Sequence, residues 1–138
     1  MTTVIVDTVT LEFMNYWPSD LVNPPTVIGP NPQVALETSE DPLILMAVRE
    51  EDGSITLTTD PAKVEAKRQA QIATNKSYRD LCLKMTDFTM LPDTGLDNVQ
   101  EWVSFRASLR AIDLDPPVTW PQEPQSPWGP FLPSPPTF

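Results

Sequence analysis

Pro121-Gln122-Glu123-Pro124-Gln125-Ser126-Pro127-Trp128-Gly129-Pro130-Phe131-Leu132-Pro133-Ser134-Pro135-Pro136 sets a proline at every third position from 121 to 136. A polyproline II helix turns once per three residues, so six of these rings, from Pro121 to Pro136, align on one edge of a left-handed rod. Its length would be roughly 50 Å at about 3.1 Å per residue. Such a rod has no internal hydrogen bonds and is already extended. It therefore loses little entropy when it lies along another surface. The reading expects an extended proline-rich tail over 115–138.

Trp120, Trp128, Phe131 and Phe138 punctuate this tail. A proline rod has no interior to hold them, and exposed aromatic rings beside proline invite burial on a partner. Trp128 and Phe131 are one turn apart and should project from the same side. These four residues are the first candidates for partner binding. The alternative is a disordered tail. An SH3- or WW-type ligand would share the spacing, but no basic residue follows Arg110.

The bulk composition points the same way. The chain has 138 residues, 17 prolines and 4 glycines. Nine prolines (116, 117, 121, 124, 127, 130, 133, 135 and 136) fall after Asp115, leaving a body of about 115 residues and a thin core. Net charge is −10, which repels phosphate and argues against nucleic acid and anionic membrane surfaces. No apolar run approaches the length of a membrane span. No basic region followed by an apolar stretch opens the chain, so no signal peptide is expected. The single cysteine, Cys82, cannot close an intrachain disulfide, and cytosolic synthesis is expected.

The body divides into two parts. Residues 1–60 read as strand and loop. The run 2–13 is rich in β-branched residues and suits one strand. Pro18, Pro24, Pro25, Pro30 and Pro32 then interrupt any regular element. A hairpin is expected over about 43–59, turning at Glu50-Glu51-Asp52-Gly53-Ser54. A lone hairpin is marginal in water, so it needs the first strand or another chain beside it.

Residues 61–114 read as a helical hairpin. Asp60-Pro61 is a helix start, an acceptor followed by proline at the first helical position. The helix should run to Met85, with a weakly apolar, solvated first half. A connector follows over 86–95. A second helix should begin near Asp97, with Gln100 as its capping-box partner, and end before Asp115-Pro116-Pro117. Trp102, Phe105, Leu109 and Ile112 share one of its faces. The expected class is thus α+β: a small β-rich N-terminal region, an antiparallel helical hairpin and an extended tail.

No histidine is present, which removes every histidine-based mechanism. Glu40-Asp41 and Glu50-Glu51-Asp52 lack the spacing of a calcium loop and read as solvated surface. Cys82 has no imidazole to activate it and reads as an inert buried thiol, with an interchain disulfide as the alternative. No catalytic residue, metal ligand or cofactor is assigned, and no enzyme is expected. The face Trp102, Phe105, Leu109 reads first as core, or else as a face left partly open to a partner. Arg106 and Arg110, one turn apart, read as a solvated helix face or as carboxylate clamps.

The stretch 66–121 resembles the C-terminal module of phage tail fibre assembly proteins. The elements carrying the resemblance are Thr86-Asp87-Phe88-Thr89, Leu91-Pro92-Asp93, Trp102, Phe105-Arg106, Leu109-Arg110 and Val118-Thr119-Trp120-Pro121, in that order. Phe88 and Phe105 stand where the family commonly carries Trp and Tyr, and the tail after Pro121 is longer than usual. The resemblance implies a non-enzymatic chaperone that binds fibre subunits and assists their folding or trimerisation. Trp102, Phe105, Arg106, Leu109, Arg110, Trp120, Trp128, Phe131 and Phe138 would be its contacts. The alternative is a structural adaptor that stays on the tail fibre or a baseplate subunit in the virion.

Overall fold

The computed structural model describes residues 1–138 and is a mixed α+β protein with small antiparallel sheets and two helices. Two compact units can be distinguished, 1–67 and 68–138, with the boundary inside the first helix. Each is described by itself.

In the first unit, β1 (Thr2–Asp7) is the central strand of a three-stranded sheet, between β2 (Phe13–Pro18) and β3 (Gln33–Thr38). Both pairings are antiparallel; Val4 stands opposite Tyr16 on one side and Leu36 on the other. The run 2–13, read as one strand, is therefore two pieces. Asp7 divides them: its carboxylate accepts the backbone N–H groups of Val9 (2.8 Å) and Thr10 (2.9 Å) and the side-chain amide of Asn31 (3.0 Å). Leu11 then takes a positive φ of 62°, which turns the chain back into β2. This side-chain-driven turn does not show in hydrophobic pattern. Strand β3, beyond the proline-rich stretch, was not expected either.

The expected hairpin forms as β4 (Leu45–Arg49) and β5 (Ile55–Thr59), with Gly53 at φ 86° in its turn. Asp52 accepts the N–H and hydroxyl of Ser54 there. A 3-10 turn, Pro42–Ile44, precedes β4, so the strand starts two residues later than expected. Ala47 of the hairpin joins Val4 and Val6 in a small core, and Phe13, Val34, Leu36, Ile55 and Leu57 pack around them. The hairpin pairs with no third strand; side-chain packing on Val4 and Val6 of β1 supports it instead.

Helix α1 (Pro61–Met85) starts where Asp60 and Pro61 placed it, and the Asp60 carboxylate accepts the N–H of Ala62. Its first turns, 61–67, are exposed throughout. Helix α2 (Val99–Ala111) begins after Asn98, not at Asp97. The expected capping box with Gln100 does not form; Asn98 instead donates to the Glu101 carboxylate (3.0 Å) and to the Gln125 carbonyl (2.8 Å). The Asn98 side chain is drawn to groups outside the helix backbone, so its capping bond is absent. A 3-10 helix, Asp87–Met90, lies in the connector, and no helix or strand follows Ala111. No helix is long and apolar enough to cross a membrane.

Candidate functional site

The second unit is built around Trp102, whose relative exposure is 0 %. Phe105 and Leu109 on the same face of α2, and Cys82 from α1, complete the buried cluster. The face that reads first as core is core at these three positions, and the alternative of a face left partly open to a partner does not hold there. An indole with no accessible surface cannot meet another chain without opening the fold.

Arg106 is buried as well. Its guanidinium donates to the Leu83 carbonyl (2.7 Å), the Thr86 hydroxyl (2.8 Å) and the Asp87 carboxylate (2.7 Å). Thr86 in turn donates to the Cys82 carbonyl, and Thr89 to the Thr86 carbonyl. These bonds fasten the end of α1 and the 3-10 helix to the middle of α2. Arg106 is thus neither a solvated residue nor a clamp for an outside carboxylate; its partner is Asp87 of the same chain. Arg110, in the last turn of α2, remains exposed. Two N–H groups inside this unit, Trp102 Nε1 and Arg106 Nε, find no acceptor. An unsatisfied buried donor costs about 1–3 kcal/mol, so this core is well packed rather than fully satisfied.

The tail departs furthest from expectation. A straight rod would point away from the helices, but this chain folds back on them. Ser126-Pro127-Trp128-Gly129 is a tight turn: Gly129 N–H donates to the Ser126 carbonyl (3.1 Å), and the Ser126 hydroxyl donates to the Gly129 carbonyl (2.8 Å). Gly129 sits at φ 72°, where a side chain would be strained. The Glu123 carboxylate accepts the N–H groups of Phe131 (3.1 Å) and Leu132 (3.4 Å), closing the loop.

The aromatics of the tail are consequently divided. Trp120 meets Tyr78 of α1 edge-on at 4.7 Å, and the Tyr78 hydroxyl donates to the Pro133 carbonyl at 2.8 Å. Phe131 stacks on Trp102. Trp128 and Phe131 both reach Phe88, at 5.4 and 5.8 Å, across the Ser126–Gly129 turn rather than along one side of a rod. Trp120, Phe131 and Leu132 pack against the buried cluster, whereas Trp128 keeps 55 % of its surface exposed and Phe138 65 %. Burying rings on the chain's own helices returns more free energy than an extended backbone does, because the rod had no bonds of its own to lose.

Residues outside the expected set hold the returning chain. Asn75, buried in the middle of α1, donates to the Leu114 carbonyl at 3.1 Å. Arg68 grips Asp115 through two bonds of 2.8 and 2.7 Å and holds its carboxyl below the usual carboxylate range. Burial pushes the Tyr78 hydroxyl up, with a bond to Cys82 adding to the shift; burial likewise raises the Cys82 thiol. A polar Asn within an alanine-rich helix was the one signal in the sequence that could have marked this seam.

Two of the openings along the tail also touch α2. One, lined by Ser104, Phe105 and Ser108 of α2 and by Pro121–Gln125, has a volume of about 810 Å³. The other, about 340 Å³, lies at the start of α2 beside Ser126 and Pro127. No group of three or more potential metal ligands is present. Comparison with protein-family models, with curated proteins and with solved structures finds no match for this chain.

Proposed function

We propose that this protein is a non-enzymatic assembly chaperone for a phage tail fibre, with its second unit as the binding module. What supports the reading is the way the residues of the resemblance work together. Hydrogen bonds join Arg106 to Thr86 and Asp87, and Trp102 lies in the buried cluster against which Tyr78 and Trp120 pack. The matching residues are dispersed over 35 positions of sequence, from Thr86 to Trp120, yet they build a single folded unit. A likeness that follows such contacts is a likeness of module, not of composition alone.

In this reading α1 and α2 form a helical hairpin and the proline-rich segment is its strap. The strap's grip is internal at Trp120 and Phe131, so fibre subunits would be met by what stays outside: Trp128, Phe138 and Arg110. Fibre subunits are β-rich and trimerise through non-local pairing, which leaves apolar surface and strand edges uncovered for a time. A helper with exposed aromatic residues on a preformed frame would cover that surface.

The test is co-expression with a tail fibre subunit followed by size-exclusion chromatography. Co-elution is expected, and it should weaken for Trp128→Ala with Phe138→Ala. Independent migration of the two proteins would overturn the proposal. Deleting 116–138 would be a poor test, because it also removes Trp120, Phe131 and Leu132, which pack against the core. Mass spectrometry of purified particles separates a departing chaperone from the structural adaptor, which would be present at a constant ratio to the fibre.

A further inference from the structure

The opening at the start of α2 has a composition that the assembly reading does not use. Its wall carries Leu96, Asp97, Glu101, Gln125, Ser126 and Pro127, and no basic residue lines it. The ion pairs of the chain lie elsewhere: Lys67 with Asp41, Arg68 with Asp115, Arg79 with Asp80, Arg106 with Asp87. Asp97 enters none of them, and Glu101 accepts only the neutral amide of Asn98. The N-terminus of α2 contributes a partial charge of about +0.5, which leaves two carboxylates net negative by more than one unit. Helix stabilisation alone therefore does not consume their charge.

An apolar shelf adjoins this pocket. Leu96 and Pro127 belong to the wall, and Pro127 leads into Trp128, which leans on Phe88 and keeps 55 % of its surface exposed. The shelf is held in place in advance. Asn98 ties Gln125 to the start of α2, and the Ser126–Gly129 turn and the Glu123 bonds hold the loop. Little ordering entropy remains to be lost on binding.

We propose that this pocket and shelf dock a segment of a partner protein that presents an arginine or lysine beside an apolar side chain. The cation would enter between Asp97 and Glu101, and the apolar neighbour would cover Trp128. A second copy of this chain fits poorly, since it carries the same charge of −10. Only the partner's identity as a fibre subunit rests on the assembly reading.

The test uses the full-length, ¹⁵N-labelled protein and three capped synthetic peptides: alternating arginine and leucine, the same peptide with citrulline for arginine, and alternating glutamate and leucine. Trp128→Phe assigns the Trp128 indole signal. The arginine peptide should shift that signal and the amides of 96–101 saturably. Citrulline should weaken binding at least tenfold, as should Asp97→Asn with Glu101→Gln, which retains an acceptor for Asn98. Glu50→Gln with Asp52→Asn should leave binding unchanged.

Equal binding by the citrulline peptide or by the Asp97/Glu101 variant would overturn the proposal. So would shifts confined to the acidic residues of the first unit, or a concentration-dependent dimer that covers Trp128. Should the double variant misfold, Trp128→Ala and the citrulline peptide still decide. Peptide binding without fibre co-elution would sink the assembly reading alone; fibre co-elution without peptide binding would sink this surface alone.

Discussion

Phe131 lies over Trp102 with ring centroids 5.7 Å apart and planes 27° from parallel. A residue near the end of the chain thus roofs the most buried side chain of α2. The tail is structural before it is anything else, and mutations in it should be felt as loss of fold.

Phe131→Ala removes that roof and part of the support of Phe88. Stability should fall by about 2–4 kcal/mol, while Phe131→Leu should cost less than half of that. Urea unfolding followed by near-ultraviolet circular dichroism measures both. An Ala variant as stable as the parent would show that the tail is not packed on Trp102 in solution.

Arg106 and Asp87 share an ion pair but not a fate. Arg106→Met leaves the Leu83 carbonyl and Thr86 hydroxyl without their donor in a buried place, and should cost roughly 2–4 kcal/mol. Asp87 keeps 67 % of its side chain in solvent, so Asp87→Asn should cost under about 1 kcal/mol. Equal losses in a denaturation series would mean that the exposed pair, and not the buried bonds, carries the network.

Acid should weaken the protein in a defined window. The Thr10 N–H and the Asn31 amide hold the Asp7 carboxyl low, and Lys67 and Arg68 do the same for Asp41 and Asp115. The unfolded value is about 3.9. Groups depressed in the folded state stabilise it above the unfolded pKa, and that contribution is lost as pH falls through the lower folded values. Urea midpoints should therefore be level from pH 7 to about 5 and drop below about 4. Asp115→Asn should shrink the drop; a midpoint that falls between pH 7 and 5 would point to other groups.

Cys82 should be slow to react. It is buried, and its thiol is raised by that burial, so little thiolate exists at neutral pH. A disulfide-exchange reagent at pH 8 should label it only after denaturant is added. Prompt labelling, or a dimer on non-reducing gels of thiol-blocked samples, would place the sulfur at the surface.

The elements that read correctly are those whose signals are local. Asp60-Pro61 starts α1 because an acceptor followed by a fixed φ needs no distant partner. The hairpin of β4 and β5 was legible because the alternation of Ile55, Leu57 and Thr59 and the turn at Gly53 lie within a few residues. Strand β3 was not legible: it lies past a proline-rich stretch, and its place is set by pairing with β1 across some 30 residues. The turn at Asp7 was hidden for a similar reason, since Asn31 completes it.

The candidate site divides along the same line. Trp102, Phe105 and Leu109 share a helix face by simple periodicity, and that much needed only their spacing. Whether the face was open or covered depended on what returned to it. Proline spacing argued for a rod, because backbone preference is a property of consecutive residues. The fold-back of Trp120 and Phe131 is decided by burial against Tyr78, Phe88 and Trp102, which lie 29 to 43 positions from the ring they meet and become neighbours only once α1 and α2 exist. Local stereochemistry writes the helices, the hairpin and the charge of the surface into the chain; the hydrophobic effect, which is non-directional and takes no account of sequence distance, chooses which aromatics end inside.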